Sequence, residues 1–298
     1  MERGVIVSEN TRLTYRIRRN LQRTAARVLP KETLVKLYYR FLLGRPLDLK
    51  NPRTFNEKLQ WYKLYYCDGN DLIVQCTDKY SVRRYVEDRG YGGILNPLLG
   101  VWDRVDDIDW DVLPKKFVLK CTHGSGYNII CLDKSKMDKK QVQSTLRRWL
   151  REDFGLFNLE PHYDRIQKRI IAEEFIEWQD GLPVDYKFFC FHGQPKMIGV
   201  YKGRYSNLEK HYYDLNWKPM AISMHGGGGE VDKPKLLPEA IEISTRLAQD
   251  FPFVRVDLYD CNTRIIFGEL TFSPAAGFHR FTHEGDVAVG EWFDLHKV

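Results

Sequence analysis

The 298-residue chain has no run approaching the roughly 20 apolar residues that a membrane-spanning helix needs. Its first stretch, MERGVIVSENTRLTYRIRRN, lacks the apolar centre of a secretory signal, so a cytoplasmic protein is the expectation. Zinc spacing is missing too: Cys67, Cys76, Cys121, Cys131, Cys190 and Cys261 form no C-x-x-C pair and stand in no zinc-like relation to histidine. Four of these lie in or beside apolar, strand-like runs, which fits reduced, buried thiols. Internal repeats, low-complexity tracts, sugar-nucleotide motifs and an obvious Ser/His/Asp arrangement are also absent.

What is present is a composition with 43% hydrophobic residues, enough for a large core divided into two or three lobes. The net charge of +6 is unevenly placed. Residues 1–53 hold thirteen Lys/Arg against four Asp/Glu, and everything after them is slightly acidic. Positive charge confined to one arm, with no recognition motif, argues against a nucleic-acid partner. Within the arm, Arg12, Arg16, Arg19, Arg23 and Arg27 recur at helical spacing beside a stripe of Leu13, Ile17, Leu21, Ala25, Val28 and Leu29. The plain reading is a surface helix packed on the body. The second is peripheral contact with an anionic membrane surface or a polyanionic glycan.

Helices are expected through ETLVKLYYRFLLG, ending at Gly44, and after Thr54, which stands with Glu57 at capping-box spacing. Further helices are expected over about Asp78 to Arg89, through DKKQVQSTLRRWLRED, and through LPEAIEISTRLAQDF, where Pro238 suits a first turn. Strands are expected in ILNPLLGVW, KFVLKC, NIICL, KRIIAEEFIE, VDYKFFCFHG, PKMIGVY, FVRVDLYD and RIIFGEL. His225–Glu230, HGGGGE, reads as a mobile surface loop rather than a phosphate cradle, because no helix start follows it. The pattern is α+β with mostly antiparallel sheets.

Isolated charges inside apolar strands are costly unless a ligand, ion or partner answers them. Lys120 ends FVLK just before the loop His123-Gly124-Ser125-Gly126; Glu173, Glu174 and Glu177 follow RIIA; Asp185 and Lys187 share one strand face; Arg255 and Asp257 share another. Glu269 falls on the face of Asp257 if the loop joining the last two strands has an odd number of residues, and on the opposite face if it has two. Two adjacent carboxylates with Arg255 beside them are either a salt-bridge network on a solvated face or a divalent-cation site, and oxygen-only donors suit magnesium.

The ordered series DKYSVRRYV, FVLKCTHGSGYNII, RIIAEEFI, DYKFFCF and FVRVDLY…IIFGELTF resembles the ATP-grasp superfamily. More closely it resembles the TupA-like branch of teichuronopeptide, capsule and other surface-polysaccharide clusters, over about Asn51 to Phe281. The resemblance implies an ATP-grasp fold, two α+β lobes clasping a nucleotide. The boundaries would be a basic helical arm (1–53), an N-terminal lobe (54–115), a lid lobe (116–176) and a C-terminal metal-binding lobe (177–298). It implies that Lys79 and Lys120 reach the ATP phosphates and that His123, Gly124, Ser125 and Gly126 form the loop over them. Glu173, Glu174, Phe175 and Ile176 would hold adenine through the backbone, with Glu177 near the ribose. Lys187 would face the phosphates or acyl group, Arg255 would stabilise the transferred phosphoryl, and Asp257 and Glu269 would hold Mg²⁺. The third metal position, two residues after that Glu, is commonly Asn in the superfamily and is Thr271 here, whose hydroxyl can ligate or hydrogen-bond but is a poorer oxygen donor than an amide carbonyl.

The implied activity is ligation. A carboxylate, here a uronic acid of a surface glycan or its precursor, would become an acylphosphate and then an amide with an amine or amino acid. The same cradle could instead serve a kinase acting on a sugar hydroxyl or amide, or persist in a non-catalytic glycan-binding protein. Tyr201, Tyr205, Tyr212, Tyr213 and Trp217 would suit stacking on a sugar ring, although packing explains most aromatics.

Overall fold

The computed structural model describes residues 5–7, 13–177, 184–202, 209–224 and 231–298, with the backbone alone for residues 13–18. His225–Glu230, Tyr205 and the Arg12 end of the basic stripe lie outside the described residues. The chain opens with strand β1 (Val5–Val7) and helices α1 (Leu13–Val28), α2 (Lys31–Leu43) and α3 (Phe55–Trp61), the last running on into a π-helical turn, Tyr62–Tyr66. Next are α4 (Asp71–Thr77), α5 (Val82–Asp88), β2 (Leu98–Trp102), β3 (Phe117–Cys121), β4 (Asn128–Cys131), α6 (Lys139–Leu150), α7 (Phe154–Asn158) and β5 (Ile170–Glu174). The chain closes with β6 (Asp185–Phe191), β7 (Gln194–Lys202), β8 (Glu209–Tyr213), α8 (Leu237–Ala248), β9 (Phe253–Asp260), β10 (Ile265–Thr271) and α9 (His283–Glu291).

The strands form two five-stranded sheets, β1-β4-β3-β5-β2 and β10-β9-β6-β7-β8, antiparallel throughout. This is the expected α+β architecture. β1 and β8 fall outside the expected strands. Val5–Val7 lies in the stretch read as a helical arm, yet it adds an edge strand to β4, pairing Val5 with Cys131. Three residues are too few for a period-two pattern to show. The Thr54/Glu57 capping box forms, with both reciprocal hydrogen bonds present. α5 begins later than expected because the Asp78 carboxylate accepts from the Tyr80 amide at 2.8 Å and the Ser81 hydroxyl at 2.9 Å, a local turn that competes with helix.

Each sheet has its own core. In the first, Phe117, Leu119, Ile129, Cys131, Ile170 and Ala172 pack against α6 residues such as Leu146 and Trp149. In the second, alternation splits the faces. Phe188, Cys190, Val254, Val256 and Ile198 lie on the face covered by α8, whose Ile243 and Leu247 join the same core. The opposite face is divided along its length. At one end Phe189, Phe191 and Phe253 pack around Phe55 of α3, with ring centroids 6.3, 5.7 and 5.2 Å away. At the other end the same face carries Asp185, Lys187, Arg255 and Asp257.

Candidate functional site

Lys79 joins the two sheets. It sits in the turn between α4 and α5, and its Nζ donates to the Gly124 carbonyl at 2.6 Å while standing 4.0 Å from a Glu269 carboxylate oxygen. One side chain therefore reaches both the glycine loop after β3 and the end of β10. Burial pulls the Lys79 pKa down, Glu269 opposes that pull, and the nearby positive charge of Lys120 adds to it.

On the first sheet, β3 presents Lys120 to the face shared by Val118 and Glu173. Its Nζ donates to Glu173 at 2.6 Å, and Arg83 of α5 approaches the other oxygen of that carboxylate at 3.7 Å. The hairpin is closed by the Cys121 amide donating to the Tyr127 carbonyl at 3.0 Å. Gly124 is required here, because a Cβ would lie 2.6 Å from the Tyr127 ring. His123 turns inward: its Nε2 lies 3.0 Å from the Trp149 carbonyl, and burial pushes its pKa down to about 4. It anchors the loop to the lobe core, while Ser125 and Gly126 are exposed.

The stretch assigned to adenine divides at the end of β5. Glu173 and Glu174 pair within the sheet; the Glu174 amide donates to the Pro97 carbonyl at 3.1 Å and its own carbonyl accepts from Asn96 at 2.8 Å. The Glu174 amide is therefore occupied by the sheet, while its carbonyl, with one donor, keeps a second lone pair free to accept. Phe175 and Ile176 lie beyond the strand, half-buried, and Glu177 is exposed with its carboxylate 2.6 Å from Lys116.

On the second sheet, Lys187 and Asp257 are cross-strand partners and their side chains are ion-paired; Lys187 also reaches Asp185 at 2.8 Å. Arg255 grips Asp257 with Nε at 2.6 Å and Nη2 at 2.7 Å, reaches the Thr271 hydroxyl at 3.1 Å, and lies 3.5 Å from Glu269. Burial pushes the Asp257 carboxyl up, against the pull of Arg255 and Lys187. Burial alone would lower the Arg255 pKa, but Asp257 above all holds it raised. The Thr271 hydroxyl lies 3.3 Å from Glu269, so it shares this site.

The parity argument about Glu269 resolves in an unexpected way. The loop joining β9 to β10 is Cys261–Arg264, an even number of residues, which starts Glu269 on the wrong face. A β-bulge between Phe267 and Glu269 inserts one extra residue and restores the pairing of Glu269 with Asp257. Gly268 occupies the bulge, where a Cβ would come within 2.9 Å of the Asp257 carbonyl.

No group of three metal-ligating side chains gathers among the described residues. Asp257 and Glu269 are adjacent oxygen donors of the kind magnesium takes together with phosphate and water; in this structure both Asp257 oxygens are held by Arg255 and Lys187. Lys79, Lys120, Arg83, Lys187 and Arg255 face Glu173, Asp185, Asp257 and Glu269, a balance that leaves room for an anionic ligand. Of the aromatic cluster, Tyr213 and Trp217 stack on each other at 4.2 Å, and both bond Val231, so they are internal packing. Among the described residues of the cluster, Tyr201 lies near the ions, its ring 5.2 Å from the Lys187 Nζ and its hydroxyl 3.2 Å from that of buried Tyr212. Sequence reasoning missed Arg83 and Gly268. Arg83 shares the quoted segment with Lys79, but only the Asp78 turn brings both toward the site.

The sequence profile described as TupA-like ATP-grasp matches residues 57–294. Among curated proteins no relative matches. Solved structures with a similar arrangement include D-alanine–D-alanine ligase from Bacillus anthracis, 16% identical, with a TM-score of 0.44 over 72% of this chain and 66% of that one. The Helicobacter pylori D-alanine–D-alanine ligase is 11% identical, with a TM-score of 0.41 over 80% and 69%. N5-carboxyaminoimidazole ribonucleotide synthetase from Thermus thermophilus is 9% identical, with a TM-score of 0.40 over 69% and 48%. The chain thus spans 66% of the length of the first of these, just under two thirds. With the profile covering most of its length and two antiparallel-sheet lobes meeting at Lys79, the chain belongs to the TupA-like ATP-grasp family.

Proposed function

We propose that the protein is an ATP- and Mg²⁺-dependent ligase that joins a carboxylate to an amine through an acylphosphate. The observation that carries this reading is the placement of Lys79, bonded to the glycine loop of one lobe and 4.0 Å from Glu269 of the other. Phosphoryl transfer asks a protein for positioning and charge neutralisation more than for a general base, and this site is made of cations and carboxylates. Lys79 and Lys120 neutralise the β- and γ-phosphates under the backbone of the 123–126 loop, where glycine permits close approach. Phe175, Ile176 and Glu177 take the nucleoside end. Asp257 and Glu269 hold Mg²⁺, which supplies charge neutralisation at the phosphates when bound; Thr271 orients Glu269 rather than serving as a strong donor.

The substrate carboxylate oxygen attacks the γ-phosphorus and ADP leaves. The amine nitrogen then attacks the acyl carbon, inorganic phosphate departs and the nitrogen releases a proton. Arg255, fixed by two bonds to Asp257, stands where it offsets the negative charge that builds in both steps, and Lys187 holds the acyl oxygen side. The carboxylate is a uronic acid of a cell-surface glycan or its precursor, a reading supported by the TupA-like family, with Tyr201 offering a ring face beside Lys187. The test is ATP turnover over a panel of uronic acids and amino acids, with and without Mg²⁺. Release of phosphate that requires both an acid and an amine is expected; a phosphorylated sugar with no free phosphate would replace the ligase with a kinase.

A further inference from the structure

The helix pair at the N-terminal side packs one surface on the body and carries large apolar side chains among the cations it leaves exposed. Ala25 and Ala26 of α1 and Leu34, Val35 and Tyr39 of α2 turn toward one small cluster with Leu64 and Leu159. Facing away from it, Leu37 and Phe41 stand one helical turn apart on α2, 53% and 87% exposed, and Leu21 and Val28 of α1 are 66% and 75% exposed. Exposed Arg27, Lys36 and Arg40 are interleaved with them. From residue 19 to residue 47 the sequence has one acidic side chain, Glu32, and it accepts a hydrogen bond from Tyr65 at 2.8 Å.

We propose that the exposed side of α2 docks the protein on an anionic lipid bilayer, with Phe41 and Leu37 entering the acyl boundary and Lys36 and Arg40 at the headgroups. Two chemistries coincide here and one occupant satisfies both. A polyanionic glycan or nucleic acid would answer the cations but leave Phe41 in water. A second copy in a twofold contact would cover Phe41 but set the two basic sets against each other. An anionic membrane surface buries the apolar side chains and attracts the basic ones together. The sequence pattern points to α1 alone; the structure adds α2, whose Phe41 is 87% exposed. The inference does not depend on the ligase reading.

The test is vesicle co-sedimentation of the full chain, comparing phosphatidylcholine vesicles with vesicles holding about 30% phosphatidylglycerol, at low and at raised salt. Binding selective for the anionic vesicles and weakened by salt is expected. The L37S/F41S double variant should lose it by at least about tenfold, because burial of a Leu and a Phe is removed. Both positions are solvent-facing, so its circular dichroism and thermal midpoint should match the parent. K36E should weaken binding as well. Absence of binding at low salt, binding unchanged in L37S/F41S, or a dimer in sedimentation velocity that the double variant abolishes would each overturn the proposal.

Discussion

Asp257 lies almost wholly inside the protein with Lys187 and Arg255 on its carboxylate, whereas the Glu269 side chain is 34% exposed. The two carboxylates therefore differ as targets. Asp257→Asn removes the carboxylate shared by two buried cations, leaving Lys187 with Asp185 at 2.8 Å and Arg255 with Glu269 at 3.5 Å, and should cost about 1–3 kcal/mol of stability, so lost turnover in that variant would report on folding as well as on chemistry. Glu269→Gln should leave the urea midpoint nearly unchanged while removing Mg²⁺-dependent ATP turnover; full activity with Mg²⁺ would remove Glu269 from the metal site. Lys120→Ala is clean in a similar way, because Glu173 keeps Arg83 at 3.7 Å. Loss of a charged hydrogen bond to phosphate should weaken ATP binding by roughly tenfold to a hundredfold, measurable by calorimetry. Binding unchanged in that variant would take Lys120 out of the nucleotide site.

At the scale of elements, the β9–β10 pair is where a small backbone irregularity decides chemistry. The even loop and the bulge at Gly268 are each a one-residue matter, and together they set Glu269 beside Asp257. Gly268→Ala should destabilise the protein by about 1–3 kcal/mol, since the new methyl meets the Asp257 carbonyl. Its ATP turnover should fall further than the urea midpoint explains, because the carboxylate separation changes with the bulge. Turnover that tracks stability alone would mean the bulge is merely a kink. The turn at Asp78 works on the same scale: it delays α5 and leaves Lys79 outside helical geometry, where its side chain spans the two lobes.

At the scale of the whole molecule, three buried histidines among the described residues are held neutral in the interior. Burial lowers His123 to about 4, and His162 and His279 to about 3, and among the described residues neither ring nitrogen of His162 has a hydrogen-bond partner. Each binds a proton in the unfolded chain near pH 6.5 but not in the folded one until far lower pH. The stability they permit is complete above about pH 6.5 and is lost as pH falls toward 4, by about 1.4 kcal/mol per pH unit for each group. Urea melts from pH 7.5 downward should show this slope, and His162→Phe should flatten it by about one third; a parallel slope in the variant would mean that His162 is not the neutral buried group described.

The helices with caps and the strands with β-branched and aromatic runs were legible because those signals are local: Thr54 with Glu57, Pro238, Gly44 and the FVLK and FVRVDLYD patterns each act within a few residues. Residue type and chain order also determined which ions would be anomalous on their strands. Tertiary structure alone decided that β1 adds an edge strand to the first sheet, that His123 faces the core of its lobe, that Arg83 joins Lys120 on Glu173, and that Gly268 rescues the pairing of Glu269. Those outcomes depend on register, on turns and on contacts between segments far apart in the chain, and no local pattern of side chains encodes a one-residue phase shift.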